Sequence, residues 1–238
     1  MEKEAKIFSM PIAIVVGAII IAAGLYFGLR SSSVTPTSPT TAAAGQQAAP
    51  SAVDVKDVNQ NGEAFIGNPN APVTIAYWYD YQCPFCKQDE QNVVPNVVSD
   101  YVNSGKVKIV FKDYPFLGND SVTLAVAARA VWAVDQSKFY AWHQAMFNAQ
   151  GQEGSGWASA KEINQVTTQV LGVTEATQVA SLETSNLAQY TAAINADKAE
   201  ASKFGVAATP SMLIGKQLIV GAEPYASVKS AIDTALTQ

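Results

Sequence analysis

The stretch VTIAYWYDYQCPFC, residues 73–86, decides the fold of this chain. Its first part, Val73–Trp78, is a short run of β-branched and aromatic residues that follows the turn-forming sequence NPNAP. This pattern predicts a strand. A helical composition begins near Lys87, so we expect Cys83 and Cys86 to lie where the strand has ended and the helix starts.

The residues that follow predict a β-α-β unit. The helix should run from Lys87 to about Asn103, with a kink at Pro95. A second strand is predicted at Val107–Phe111, with Lys108 and Lys112 opposite its apolar face. Because a crossover of ~20 residues separates the two strands, they should be parallel and joined by a right-handed connection.

Residues 119–204 show no convincing strand pattern and are predicted to be helical. Apolar and aromatic residues recur there with the spacing of one helix face. One such face comprises Phe139, Trp142, His143, Met146 and Phe147. Gly205, after Phe204, is expected to end the last of these helices.

The chain closes with two short strands, Ser211–Ile214 and Gln217–Val220, and a helix at Tyr225–Leu236. The two strands are joined by Gly215-Lys216 and should form a hairpin. The order β-α-β, helical block, β-β-α predicts an α/β layered fold with a helical segment inserted into a sheet domain.

The CPFC motif at residues 83–86 carries the chemistry. The first turn of a helix has free N–H groups and a partial positive charge, so a thiolate at Cys83 would be stabilised and its pKa should fall below the ordinary ~8.5. Pro84 suits this turn because it has no N–H to leave unpaired. Cys86 lies one turn further on, from where it could resolve a mixed disulfide formed on Cys83.

Two other interpretations of the motif remain open. It could be half of a zinc site, but 2 cysteines and 1 histidine are too few soft ligands for a structural site, and we expect no metal. It could be a structural disulfide, but so short a loop constrains the unfolded chain very little. We favour a redox-active pair, and we expect the single histidine, His143, to be a packed, hydrogen-bonded core residue.

Gly67–Cys86 (GNPNAPVTIAYWYDYQCPFC) resembles the DsbA-like branch of the thioredoxin superfamily. FYAWHQAMF at 139–147 is similar to a helix of that branch's second domain, and GVAATP at 205–210 is similar to its segment ending in a cis-proline. The resemblance implies a thioredoxin-like fold with an inserted helical domain. The thioredoxin-like domain would comprise residues 51–118 and 205–238, and the insertion residues 119–204.

The resemblance also implies roles for individual residues. Cys83 would be the nucleophile and Cys86 the resolving thiol of a thiol-disulfide oxidoreductase without a cofactor. Pro210 would be cis and would place the Thr209 backbone beside Cys83, where an extended substrate peptide can pair with it as an added strand. Phe85 stands where the strongest oxidants of the family carry a histidine. This departure implies an intermediate oxidant, with a pKa of Cys83 between about 7 and about 3.5.

Two more residues near the motif are candidates for the site. Phe85 is expected to be exposed and to contact apolar parts of a substrate. Asp80, three residues before Cys83, could accept the proton of Cys86, or it could simply cap the end of the strand. The sequence leaves both roles of Asp80 open.

The first 50 residues are expected to lie outside the globular part. Pro11–Leu29 holds 19 uncharged residues, which as a helix would span roughly 28 Å, close to the ~30 Å of a bilayer core. We interpret residues 1–30 as an uncleaved transmembrane signal anchor, with a cleaved signal peptide as the alternative. Residues 31–50, which have no charged or aromatic side chain, are interpreted as a disordered linker. Either interpretation of the N-terminus places the catalytic part on the extracytoplasmic side.

Three functions are consistent with these features. The first is a membrane-anchored thiol oxidase that acts on extended, thiol-containing exported proteins. The resemblance implies that it would pass electrons to a membrane partner of the DsbB or vitamin-K-epoxide-reductase type. The second is a disulfide reductase or isomerase of the same fold, and the third is a peptide-binding chaperone module. The net charge of −5 argues against nucleic acid as a partner, because phosphate recognition needs clustered Lys and Arg.

Overall fold

The computed structural model describes residues 53–238. The predicted anchor at residues 1–30 and the predicted linker at residues 31–50 lie outside the described residues. Among the helices formed by residues 53–238, none combines the length and the apolar character needed to cross a membrane.

The sheet is built around β2 (Val73–Tyr79). β2 pairs in parallel with β3 (Val107–Asp113) and antiparallel with β4 (Ser211–Ile214). β5 (Gln217–Val220) forms a hairpin with β4, and β1 (Phe65–Gly67) adds to the outer edge of β3, giving the order β1-β3-β2-β4-β5. The predicted parallel pair and hairpin are confirmed. β1 is absent from the predictions because three residues carry no measurable periodicity.

Pro95 breaks the helix that follows the CPFC motif. α1 (Pro84–Asn92) begins three residues earlier than Lys87, the predicted start, and ends before a short second segment, α2 (Val94–Val97). Pro95 lies in the first turn of α2, which continues into a π-helical turn at Val98–Val102. A proline inside a helix removes a hydrogen bond and clashes with the preceding turn. The predicted kink is therefore present as a break.

The predicted helical insertion lies between β3 and β4. It consists of α3 (Asn119–Val134), α4 (Phe139–Asn148), α5 (Ala160–Leu171), α6 (Val173–Ser185) and α7 (Leu187–Lys203). α7 ends at Lys203 with Phe204 as its C-cap residue, and Gly205, the predicted stop, follows with a φ of 76°, in the left-handed region that glycine adopts without strain. A last helix, α8 (Tyr225–Ala235), closes the chain.

The alternation of side chains along β2 divides the core into two layers. Ile75, Tyr77 and Tyr79 face a large core that includes residues of the insertion, whereas Ala76 and Trp78 face a smaller cluster on the other side of the sheet. β2 is thus buried on both faces, as is typical of a central parallel strand. Its C-terminal end, where the chain enters the CPFC motif, is held firmly in place.

A buried ion cluster joins the insertion to the sheet. Its members are Glu63, Lys112, Asp113, Arg129, Asp197 and Glu200. Lys112 on β3 lies 2.5 Å from Asp197 on α7 and has no exposed surface. Arg129 on α3 lies 2.6 Å from both Asp113 and Asp197. Three elements that are distant in sequence therefore meet at charges that are costly to leave unpaired.

Replacing Lys112 by Ala should be strongly destabilising. The change leaves the buried carboxylates of the cluster with Arg129 as their one remaining cation within the described chain, and we expect the free energy of unfolding to fall by about 3–5 kcal/mol in urea denaturation. Lys108→Ala is the matched control, because Lys108 lies on the same strand but is half-buried and bonds to the carbonyl of Pro69. It should cost about 0.5 kcal/mol or less. Equal losses would show that the cluster does not stabilise the fold.

Candidate active site

The CPFC motif occupies the junction between β2 and α1. The strand ends at Tyr79, and the helix begins at Pro84 with Cys83 as its N-cap residue. Cys83 has an extended backbone, with φ of −72° and ψ of 119°. The backbone N–H groups of Phe85 and Cys86 donate toward its sulfur. The predicted position of the first cysteine at the positive end of a helix is therefore present.

The pKa values of the two thiols of the motif are shifted in opposite directions. The Cys86 thiol donates a hydrogen bond to the sulfur of Cys83 and, with the backbone N–H groups, lowers the pKa of Cys83 to about 6 against the opposing effect of burial. Burial, reinforced by Cys83, raises the pKa of Cys86 well above its ordinary value. Cys83 is 4% exposed and Cys86 has no exposed surface. At neutral pH the pair thus holds one thiolate, on the sulfur nearer to solvent.

The loop before β4 lies against the sulfur of Cys83, whose thiol can donate a hydrogen bond to it. The carbonyl oxygen of Thr209 is 3.4 Å from Cys83 Sγ, and the Thr209–Pro210 peptide bond is cis. On the outer side of the motif, the ring of Phe85 is 60% exposed. The structure therefore brings Cys83, Cys86, Phe85, Thr209 and Pro210 together in one place.

Asp80 is occupied by the backbone around it. One carboxylate oxygen accepts the N–H of Gln82 at 2.9 Å, and the other accepts those of Phe116 at 2.9 Å and Leu117 at 3.2 Å. Of the two roles that the sequence left open for Asp80, the cap at the end of the strand matches this geometry.

Two glutamines that sequence reasoning missed tie the motif to the insertion. Gln82 donates to the Leu117 carbonyl at 2.7 Å and accepts the N–H of Gly154 at 2.9 Å. Gln150 donates to the Cys83 carbonyl at 3.0 Å. These contacts join segments far apart in sequence, and no local pattern marks a glutamine for such a role.

Buried polar side chains lie behind the motif, and sequence reasoning also missed two of them, Asp89 and Glu90 on α1. Glu90 pairs with His143 at 3.1 Å, and the other ring nitrogen of His143 is 2.7 Å from the Tyr81 hydroxyl. His143 is thus a packed, hydrogen-bonded core residue, as predicted. Burial and the neighbouring Glu90 raise the pKa of Asp89 to about 8. The sequence did contain a signal for Asp89 and Glu90, because residues three and four positions after Cys86 lie on the same side of a helix as Cys86.

The arrangement is suited to thiol-disulfide exchange. A thiolate at Cys83 can attack a disulfide, and the thiol of Cys86 is close enough to displace the partner from the resulting mixed disulfide. Within residues 53–238, no group of three or more His, Cys, Asp or Glu side chains is placed to hold a metal ion.

Comparison with known proteins also supports thiol-disulfide exchange. A family model described as Thioredoxin matches residues 59–234. Disulfide bond formation protein D of Bacillus subtilis (strain 168) is 25% identical over 175 residues, which cover 74% of this chain and 78% of that protein. Crystalline oxidised BdbD from Bacillus subtilis has a TM-score of 0.69 at 24% identity, covering 76% of this chain and 96% of that one. The thiol-disulfide exchange protein alpha-DsbA2 of Wolbachia pipientis has a TM-score of 0.62 at 27% identity. The match covers 72% of this chain and 86% of that one.

Replacing Cys86 by Ala removes the thiol that donates to Cys83. The pKa of Cys83 should then rise from about 6 toward the ordinary value near ~8.5, as read from the ultraviolet absorbance of the thiolate during a pH titration. Cys86→Ser keeps a donor at the same position and should give an intermediate value. If Cys86→Ala leaves the pKa unchanged, the helix terminus and the Thr209 side chain acidify Cys83 without help from Cys86.

Replacing Asp80 by Ala should destabilise the loop that carries the motif. The change leaves three backbone N–H groups without their acceptor, and we expect the free energy of unfolding to fall by about 1–3 kcal/mol in urea denaturation. Asp80→Asn keeps one acceptor oxygen and should lose less. Unchanged stability combined with an altered pH profile of disulfide exchange would instead assign the proton-acceptor role to Asp80.

Proposed function

The chain belongs to the thioredoxin family as a DsbA-like thiol-disulfide oxidoreductase, and on this premise we propose that it oxidises the thiols of exported proteins through Cys83 and Cys86. The observation that carries the proposal is the unequal acidity of the two thiols. A thiolate stabilised on Cys83 favours the reduced form of the pair over the disulfide. A protein whose reduced form is stabilised in this way is an oxidant toward other thiols.

The proposed reaction has two exchange steps. A substrate thiolate attacks Cys83 Sγ of the Cys83–Cys86 disulfide, the S–S bond breaks, and Cys86 leaves with the electron pair and takes up a proton. A second substrate thiolate attacks the substrate sulfur of this mixed disulfide and expels Cys83 as a thiolate. The substrate loses two electrons and gains a disulfide, and the motif gains the two electrons. The low pKa of Cys83 makes it a good leaving group in the second step.

We assign substrate binding to Thr209, Pro210 and Phe85. The Thr209 backbone lies beside Cys83, where an extended peptide can add as a strand, and the family resemblance supports this role for the Thr209–Pro210 segment. Phe85 presents an exposed apolar ring next to the nucleophile. Contacts of this kind use backbone groups and general apolarity, which suits a protein that accepts many unfolded chains.

The proposed setting is the extracytoplasmic side of a membrane. The length and uncharged character of Pro11–Leu29 support an anchor there, and disulfides persist outside the cytoplasm. The reduced pair must pass two electrons to an acceptor, and the resemblance supports a membrane partner of the DsbB or vitamin-K-epoxide-reductase type.

If the anchor is present, the full chain should stay in the membrane fraction after alkaline extraction. A shortened chain in the supernatant would indicate a cleaved signal peptide.

The reduction potential of the pair, measured against glutathione, tests the direction of the reaction. We expect a value closer to about −120 mV than to about −270 mV. A value near about −270 mV would favour a reductase or isomerase.

Cys83→Ser and Cys86→Ser should each abolish the oxidation of a reduced, unfolded protein. A wild-type protein that suppresses aggregation but exchanges no disulfides, with both serine variants equally effective, would identify a chaperone module.

Replacing Phe85 by Ser should weaken substrate binding selectively. We expect kcat/KM for an unfolded thiol protein to fall about tenfold, which corresponds to ~1.4 kcal/mol, while the reaction with dithiothreitol is unchanged. Leu187→Ser is the matched control, since Leu187 is an exposed apolar residue on α7. Equal effects of Phe85→Ser on the protein and on dithiothreitol would mean that Phe85 acts on the thiols rather than on the substrate.

A further inference from the structure

We propose that Asp89 is the group that exchanges a proton with Cys86 during disulfide exchange. The inference rests on the proposed function and assigns a further residue to the same site. Asp80, the candidate suggested by the sequence, has both carboxylate oxygens engaged by backbone N–H groups. Asp89 is differently placed.

Asp89 lies one helical turn from Cys86 on the buried side of α1. Side chains three positions apart on a helix have Cβ atoms about 5–6 Å from each other. Asp89 is 3% exposed, and its Oδ1 has no hydrogen-bond partner within the described part of the chain. Buried carboxylate oxygens without a partner are exceptional in folded proteins and call for a reason. Here the free oxygen belongs to the same helix face as a buried thiol.

The neighbouring carboxylate of Glu90 is partly in use. Its Oε1 pairs with His143, which is fixed in turn by Tyr81, while its Oε2 has no partner in the described chain. Tyr77 on β2 is fully buried and its hydroxyl also lacks a partner in the described chain. Burial raises the pKa of Tyr77 well above its ordinary value, and Cys86, Glu90 and Asp89 raise it further.

The groups that face Asp89 favour its protonated form. They come from α1, from β2 and from the loop before α8, and they are Cys83, Glu90, Tyr77 and Glu223. All are acids, so a carboxylate at Asp89 meets negative or neutral neighbours in addition to the cost of burial. These effects hold the pKa of Asp89 at about 8, a value suited to giving and taking a proton near neutral pH.

The proposed step balances without any further reactant. When a thiolate attacks Cys83 of the disulfide, the S–S bond breaks and Cys86 leaves with the electron pair. The protonated carboxyl of Asp89 gives its proton to this sulfur and becomes a carboxylate. In the reverse direction the carboxylate removes the proton from the Cys86 thiol, and the thiolate so formed attacks Cys83 of the mixed disulfide.

Stopped-flow reduction of the oxidised protein by dithiothreitol tests the proposal. The rate constant is expressed per dithiothreitol thiolate, so that the ionisation of the reductant cancels. In the wild type it should fall as the pH rises through the pKa of Asp89, at or somewhat below about 8 because the oxidised motif has no Cys83 thiolate. In Asp89→Asn this fall should be absent, and the rate at neutral pH should be about tenfold lower. A profile in Asp89→Asn that matches the wild type would overturn the proposal.

Three further variants separate a proton-transfer role from a structural one. Asp89→Glu should restore part of the pH-dependent fall. Glu183→Gln, which removes another carboxyl whose pKa is raised by burial but which lies on α6, should keep the wild-type profile. Glu90→Gln should keep the pH-dependent fall. If Glu90→Gln loses the fall and Asp89→Asn retains it, the proton-transfer role belongs to Glu90.

Carbon-13 NMR of the Asp89 carboxyl gives a readout that is independent of activity. Its midpoint should be higher in the reduced than in the oxidised protein, because the Cys83 thiolate raises it. A midpoint near the ordinary 3.8 in both states would contradict the proposal. A wild-type protein that exchanges no disulfides would refute the proposed function itself. An active wild type with an unchanged profile in Asp89→Asn would refute the inference alone.

Discussion

The hydrogen bond from the Cys86 thiol to the sulfur of Cys83 is the interaction on which the chemistry of this protein depends. It exists because α1 starts directly after a strand that is buried on both faces, so that Cys83 caps the helix and Cys86 follows within its first turn. The rest of the site keeps this bond in place. Gln150 holds the Cys83 carbonyl, and the backbone of Thr209 closes the other side of the sulfur.

The same bond links acidity to redox state. In the disulfide, Cys86 has no thiol proton to donate, so this stabilisation of Cys83 exists only after reduction. The position between the cysteines holds Phe85, whose side chain cannot donate a hydrogen bond. The low pKa of Cys83 therefore depends more on Cys86 and on the backbone than it would if a donor side chain stood at residue 85. Because the proton on Cys86 stabilises the reduced form of the pair, it makes the disulfide form a stronger oxidant. A buried group that controls this proton affects both the rate of exchange and the stability of the reduced state.

Much of the fold could be predicted because its signals are local. The strand at Val73–Trp78, the break at Pro95 and the helix end at Gly205 each depend on a few adjacent residues, and each is present. The alternation that placed Lys112 opposite the apolar face of β3 was also correct, but this side is covered, and Lys112 is fully buried in an ion cluster. The periodicity of a strand shows which side chains share a face. It does not show what covers that face.

The candidate site shows the same limit more sharply. The cysteines and the Thr209–Pro210 segment were found because they belong to a recognisable motif, whereas the choice among nearby acids depends on which oxygens the backbone has already taken. Asp80 is adjacent to the motif in sequence, yet its oxygens complete the hydrogen bonding of a loop formed 36 residues later. Asp89 is further along the chain, yet the helix brings it back to the buried side of Cys86. Proximity in sequence therefore misleads at this site. The hydrogen bonds that each acid already makes are the better guide to which of them is free to carry a proton.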